Sequence, residues 1–260
     1  MWFLRRQAPS YCYLFAHVAK CGGTTLVHAF GTAGRGAICL GDHQTTRRAV
    51  RAAAEAEIQN RRLAPDRVEL FFGHRVHFGL HELSALPPRY FTFVRHPFQR
   101  TISLYNHHCG IADNPRHPFQ QRDLSIMGPP EARLTFEQWM LQVYTGNHMV
   151  RFLSFAMQGE DATADGEMTE SHLEQACRFI DQCWFVGLIE RSREDIPFVC
   201  RAVGVKPPRK PSNVSTIYQP ATDDPELIDL ISQRDALDLR LYQHAVARRA
   251  VIDEQRVTHQ

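Results

Sequence analysis

Tyr13-Leu-Phe-Ala-His-Val-Ala-Lys-Cys-Gly-Gly-Thr-Thr-Leu26 decides how this chain folds. The apolar run at 12–18 reads as a buried strand, Lys20-Cys21-Gly22-Gly23-Thr24-Thr25 as a tight turn, and 24–31 as a helix. A strand feeding a glycine turn and a helix start aims main-chain N–H groups, two threonine hydroxyls and one ammonium at a single point. Such a point suits a phosphate or sulfate group. Lys20 stands before the glycines, whereas the common nucleotide loop GxxxxGK[ST] places its lysine after them, which counts against an ordinary ATPase or kinase.

Outward from this unit, strands and helices alternate. The sequence predicts strands at 68–73, 90–94 and 184–189 besides the first. Helices are expected at 43–62, 79–85, 98–108, 135–144, 147–157, 169–182, 192–203 and 224–249. The glycines between 31 and 41 mark an irregular connection, and proline-rich 109–133 reads as a long loop. Tyr90–Val94 is too apolar for a half-exposed edge and belongs inside the sheet. The pattern implies one α/β domain over 1–260, with a mainly parallel sheet between helical layers and its ligands beyond the strands' carboxyl ends.

Bulk composition narrows the classes. In 260 residues, 43% apolar and 22% charged content is that of a globular domain. A net charge of +2 gives no general affinity for nucleic acid, so any basic site is local. The chain has no stretch of about 18 apolar residues to span a membrane. Seven cysteines without a CxxC pair read as free thiols, and with a start at Met1 they point to a cytoplasmic protein.

A second segment, Phe93-Val-Arg-His-Pro-Phe-Gln-Arg-Thr-Ile-Ser-Leu-Tyr105, also leaves a strand for a helix, which Pro97 opens. Arg95 at the strand end and Ser103 eight residues on can converge on a second phosphate, with Arg100 a further donor candidate.

Together the two segments resemble the cofactor signatures of the sulfotransferases that use 3′-phosphoadenosine-5′-phosphosulfate (PAPS), in the carbohydrate branch that includes heparan sulfate 2-O-sulfotransferase. Ala19-Lys-Cys-Gly-Gly-Thr-Thr25 is similar to the first signature and Arg95-His-Pro-Phe-Gln-Arg-Thr-Ile-Ser-Leu-Tyr105 to the second. Weaker matches follow at Phe185-Val-Gly-Leu-Ile-Glu190, Asn213-Val-Ser215 and Asp238-Leu-Arg-Leu-Tyr242. Departures are Ala19 for the usual proline and His96 for a charged residue. The resemblance implies a P-loop-like three-layer fold. It implies a 5′-phosphosulfate site at Lys20, Cys21, Gly22, Gly23, Thr24 and Thr25, a 3′-phosphate on Arg95 and Ser103, and no metal. Lys206, Arg209 and Lys210 then become candidates to close over the nucleotide, Lys210 by direct phosphate contact.

Transfer to a hydroxyl needs a proton acceptor, and histidine titrates in the right range. Phe72-Gly-His-Arg-Val-His-Phe-Gly79 offers His74 at a strand end and His77 as rival; the resemblance places the base at His74. His107, His108 and Cys109 lack a second ligand pair for zinc and read as a polar helix end near the acceptor cleft. The arginines at 47, 48, 51, 61 and 62 read as the solvated face of a helix. The expected activity is sulfuryl transfer from PAPS to a carbohydrate or glycolipid hydroxyl, with Lys20 offsetting charge on the leaving oxygen. A nucleotide phosphotransferase and a catalytically silent nucleotide-binding relative are the alternatives. The 109–133 and 157–170 segments shape the acceptor pocket.

Overall fold

The computed structural model describes residues 10–41, 46–158, 166–209, 217–221 and 223–257. Five strands form its sheet: β1 (Cys12–Ala16), β2 (Ala37–Cys39), β3 (Leu70–Gly73), β4 (Pro88–Val94) and β5 (Phe185–Leu188). All pair in parallel, in the order β2-β3-β1-β4-β5. From β1 the chain winds to one side to build β2 and β3, then crosses to the other for β4 and β5. The carboxyl ends of β1 and β4 therefore flank the point where the winding reverses, the crevice in which such sheets hold ligands.

Strand residues are buried on both faces, as a sheet covered by helices requires. Phe15 stacks on Phe91 with ring centres 4.9 Å apart, and Phe30 of α1 (Gly23–Phe30) meets both edge-on. Each such ring removed from water contributes about 1.5–3 kcal/mol. The other helices are α2 (Arg47–Asn60), α3 (Pro97–Ala112), α4 (Gln120–Met127), α5 (Phe136–Gln142), α6 (His148–Gln158), α7 (Glu170–Gln182), α8 (Ser192–Val203), α9 (Pro225–Arg234) and α10 (Ala236–Val257). A second apolar cluster, centred on Tyr105, Trp139 and Tyr144, joins α3 to α5 and α9.

Four expectations are corrected. The irregular 31–41 connection contains β2, for which three residues suffice because Ala37 and Ile38 are buried against β3. The predicted loop at 109–133 is largely helical: α3 continues to Ala112 and α4 follows, with the prolines confined to the connections. The terminal helix is two helices, broken at Asp235. That buried carboxylate accepts hydrogen bonds from the Tyr144 and Thr101 hydroxyls and the Asn147 N–H, and the chain bends to deliver it. The segment predicted as a helix at 79–85 is a single tight turn of 3-10 helix, Leu80–Leu83.

Candidate active site

The site assembles at the carboxyl edge of β1, β3 and β4. The loop after β1 brings Lys20, Gly22, Gly23 and Thr24 to a cavity of about 190 Å³. His74 reaches the same cavity from the turn after β3, and Arg95 and Ser103 reach it from β4 and α3. His17, His107 and Ala19 complete the lining.

The loop is held in an unusual shape. Lys20 adopts φ 67° and Gly22 φ 72°, both left-handed; the conformation is easy for glycine and costly for lysine. Gly22 caps α1 without side-chain help; the Thr25 N–H turns back to the Gly22 carbonyl at 3.3 Å, while Gly23 and Thr24 line the cavity. A side chain on Gly23 would run into the His17 ring. The Cys21 thiol is fully buried and its N–H binds the Val18 carbonyl at 3.3 Å; the Thr25 side chain is buried too. Neither of these two predicted loop ligands is among the residues lining the cavity.

Cations dominate the electrostatics. Burial, then the Arg95 and Arg100 guanidinium groups, push the Lys20 ammonium down to about 8. Arg95 lies 3.5 Å from the Lys20 carbonyl, and burial lowers its pKa without removing its charge. Among the described residues neither side chain has a carboxylate ion pair, and an entering anion would relieve both. Arg100, a further donor candidate, is fully buried and spends Nη1 on the Tyr144 hydroxyl at 3.2 Å; it does not line the cavity. Its charge belongs to the network with Asp235 and Asp238. There burial, then the neighbouring Asp235 carboxylate, push the Asp238 carboxyl up to about 7.

His74 is oriented by its neighbours. Its Nδ1 stands 2.7 Å from the His17 carbonyl oxygen. A carbonyl only accepts, so Nδ1 carries the hydrogen, and in the neutral ring Nε2 is the nitrogen left to accept a proton. The rings of His17 and His74 stack with centres 4.0 Å apart, and Phe152 of α6 closes the other side at 5.4 Å. Burial, then His74 and Lys20, hold the His17 imidazole well below its usual range. His107 falls to about 4 through burial and then Lys20. Both rings are neutral at pH 7. The rival His77 is buried, binds the Phe78 carbonyl through Nδ1 at 2.9 Å and does not line the cavity.

A second cavity, of about 360 Å³, adjoins the first, with Arg95 and Ser103 in both linings. Gln99, Ile102 and Asn106 of α3 form one wall; Ile217, Gln219, Pro220 and Ala221 form the other. Lys210 and Asn213–Ser215 lie outside the described residues. Glu190, after β5, accepts the His96 N–H at 2.8 Å and so ties the Arg95 junction to the next strand. Among the described residues no cluster of three His, Cys, Asp or Glu side chains could hold a metal. None of their helices is long and apolar enough to cross a membrane. Two of the arginines on and just after α2 are ion-paired, Arg51 to Glu55 and Glu82 and Arg61 to Glu57.

Sequence reasoning passed over His17, whose place within an apolar strand made it look like core; its position three residues before Lys20, at the strand's open end, was the available signal.

The sulfotransferase family model matches residues 6–243, and the chain belongs to that family. It is an enzyme of sulfuryl transfer. Comparison with curated proteins gives no match. Among solved structures, a sulfotransferase from Alicyclobacillus acidocaldarius is similar at 14% identity and a TM-score of 0.44, over 94% of this chain and 96% of that one.

Proposed function

We propose that this enzyme transfers the sulfuryl group of PAPS to a carbohydrate or glycolipid hydroxyl, with His74 as general base. The observation that carries the donor is the pair of neighbouring cavities that share Arg95 and Ser103: a nucleotide with a phosphate at each end needs two anion positions side by side. In this reading Lys20, Gly22, Gly23 and Thr24 hold the 5′-phosphosulfate and Arg95 and Ser103 the 3′-phosphate. Lys210 is a further phosphate contact, and the Cys21 and Thr25 contributions are confined to loop shape.

The acceptor oxygen attacks sulfur as the bond from sulfur to the bridging phosphate oxygen breaks. The hydroxyl proton passes to Nε2 of His74, while Nδ1–H stays on the His17 carbonyl and fixes the ring. Lys20 offsets the negative charge that collects on the departing oxygen; neutral His17 and His107 do not compete for the proton. Positioning and electrostatics supply most of the rate, as in phosphoryl transfer.

Thermal shift with adenosine 3′,5′-bisphosphate against ATP with magnesium, then transfer of labelled sulfate from PAPS to a panel of sugars, tests this. Stabilisation by the bisphosphate with labelled product supports it. Stabilisation by ATP–magnesium alone overturns it in favour of a phosphotransferase, and bisphosphate binding without turnover on any acceptor favours a silent binder.

A further inference from the structure

Asn106 sits in the middle of α3, where asparagine is a poor helix former because its amide competes for main-chain partners. Here the amide reaches out of its own helix. It is 7% exposed; Oδ1 accepts the N–H groups of Tyr218 at 3.1 Å and Gln219 at 2.7 Å, and Nδ2 donates to the Gln219 carbonyl at 2.9 Å. A planar amide can match an acceptor and a donor to a passing peptide; leucine offers neither and aspartate only the acceptor. A second tether lies outside the cavity: the Tyr218 hydroxyl donates to Asp113 at 2.6 Å, and Arg133, paired with Asp113, faces the Tyr218 ring at 5.5 Å.

The segment thus held is the outer wall of the second cavity, opposite Ile102 and beside Arg95 and Ser103. Residues 217–221 belong to no helix or strand, so their position depends on side-chain tethers. We propose that Asn106 is a positioning residue for the nucleotide: it docks residues 217–221 onto α3 and thereby sets how tightly the 3′-phosphate half of the donor is enclosed. The proposal rests on the donor reading above, in which Arg95 and Ser103 hold the 3′-phosphate.

The test measures dissociation constants for adenosine 3′,5′-bisphosphate and inorganic pyrophosphate on the wild type, Asn106→Leu and Tyr218→Phe. Pyrophosphate reports on the first cavity, whose lining includes none of residues 217–221. With three hydrogen bonds removed, Asn106→Leu should weaken the bisphosphate about tenfold or more, and Tyr218→Phe about threefold. Pyrophosphate binding should stay near wild type in both variants, while the melting temperature of free Asn106→Leu falls modestly. Unchanged bisphosphate affinity in both variants overturns the proposal, and so does a parallel loss of both ligands. Should Asn106→Leu not fold, Tyr218→Phe decides, since its hydroxyl lies outside the cavity. A wild type that binds pyrophosphate but not the bisphosphate fails differently: the donor reading falls and takes the proposal with it.

Discussion

The His17 ring fills the space that a side chain on Gly23 would occupy, so one ring links His74 to the loop of Lys20. His17 touches Gly23 on one side and His74 on the other. Gly23→Ala must therefore displace His17, and His74 with it. We expect a turnover loss of about a hundredfold, the scale of a ~1 Å misplacement of a catalytic group. Gly22→Ala instead meets the flexible end of Ile189 and a left-handed backbone, costing about 1 kcal/mol of stability. Steady-state rates and melting curves of both variants check this.

Lys20→Met should remove turnover by about 10²–10³-fold while raising the stability of the ligand-free protein. The native ammonium is held down at about 8 from 10.5, so folding is penalised while it is charged. The penalty is on the order of 1–3 kcal/mol after allowing for residual hydration. It is full below pH 8 and fades as pH rises toward 10.5, so the variant's advantage should shrink over that window. Urea melts at pH 7 and pH 10 measure it.

Nucleotide affinity should fall as pH rises through about 8, because Lys20 loses the proton that an anion favours. Binding at pH 8.5 should take up at most about three-quarters of a proton, seen by calorimetry in buffers of different ionisation enthalpy. Lys20→Met should abolish the uptake.

His74→Gln should lower turnover by about 10²–10⁴-fold yet keep bisphosphate affinity within about threefold of wild type. His77→Gln should act mainly on stability, since that ring is buried off the cavity. If His77→Gln abolishes transfer in a folded protein and His74→Gln spares it, the base is misassigned.

Arg100→Met should destabilise the fold by about 3–5 kcal/mol, because Asp235 and Asp238 would lose their buried counter-charge. Denaturant melts report it, and Arg100→Met with Asp235→Asn should recover part of the loss.

Much of the architecture was legible because its signals are local. A strand ending in Lys20-Cys-Gly-Gly and another ending in Arg95-His-Pro each declare a turn and a helix start, and alternation then places both on one sheet edge. β2 was hidden because three residues among glycines carry no periodicity. α4 was hidden because its mostly polar surface resembles a loop and the flanking prolines reinforce that impression. The inward turn of Asp235 depends on Tyr144, Thr101 and Asn147, partners about 90 to 130 residues away, and no local pattern announces it. Asn106 was missed for the same reason, its partners lying more than a hundred residues on.

Because all five strands run the same way, the molecule has a working rim and a blank one. Among the described residues, Lys20, His74, Arg95 and Ser103 sit on the first, while the turns around 33–36, 64–69 and 84–87 gather at the second. Loops on the blank rim can lengthen, accept a tag or be cut and rejoined with little effect on turnover. The rim that bears Lys20, His74 and Arg95 has no such freedom, and variation that retunes the enzyme has to enter through the helices that follow β4.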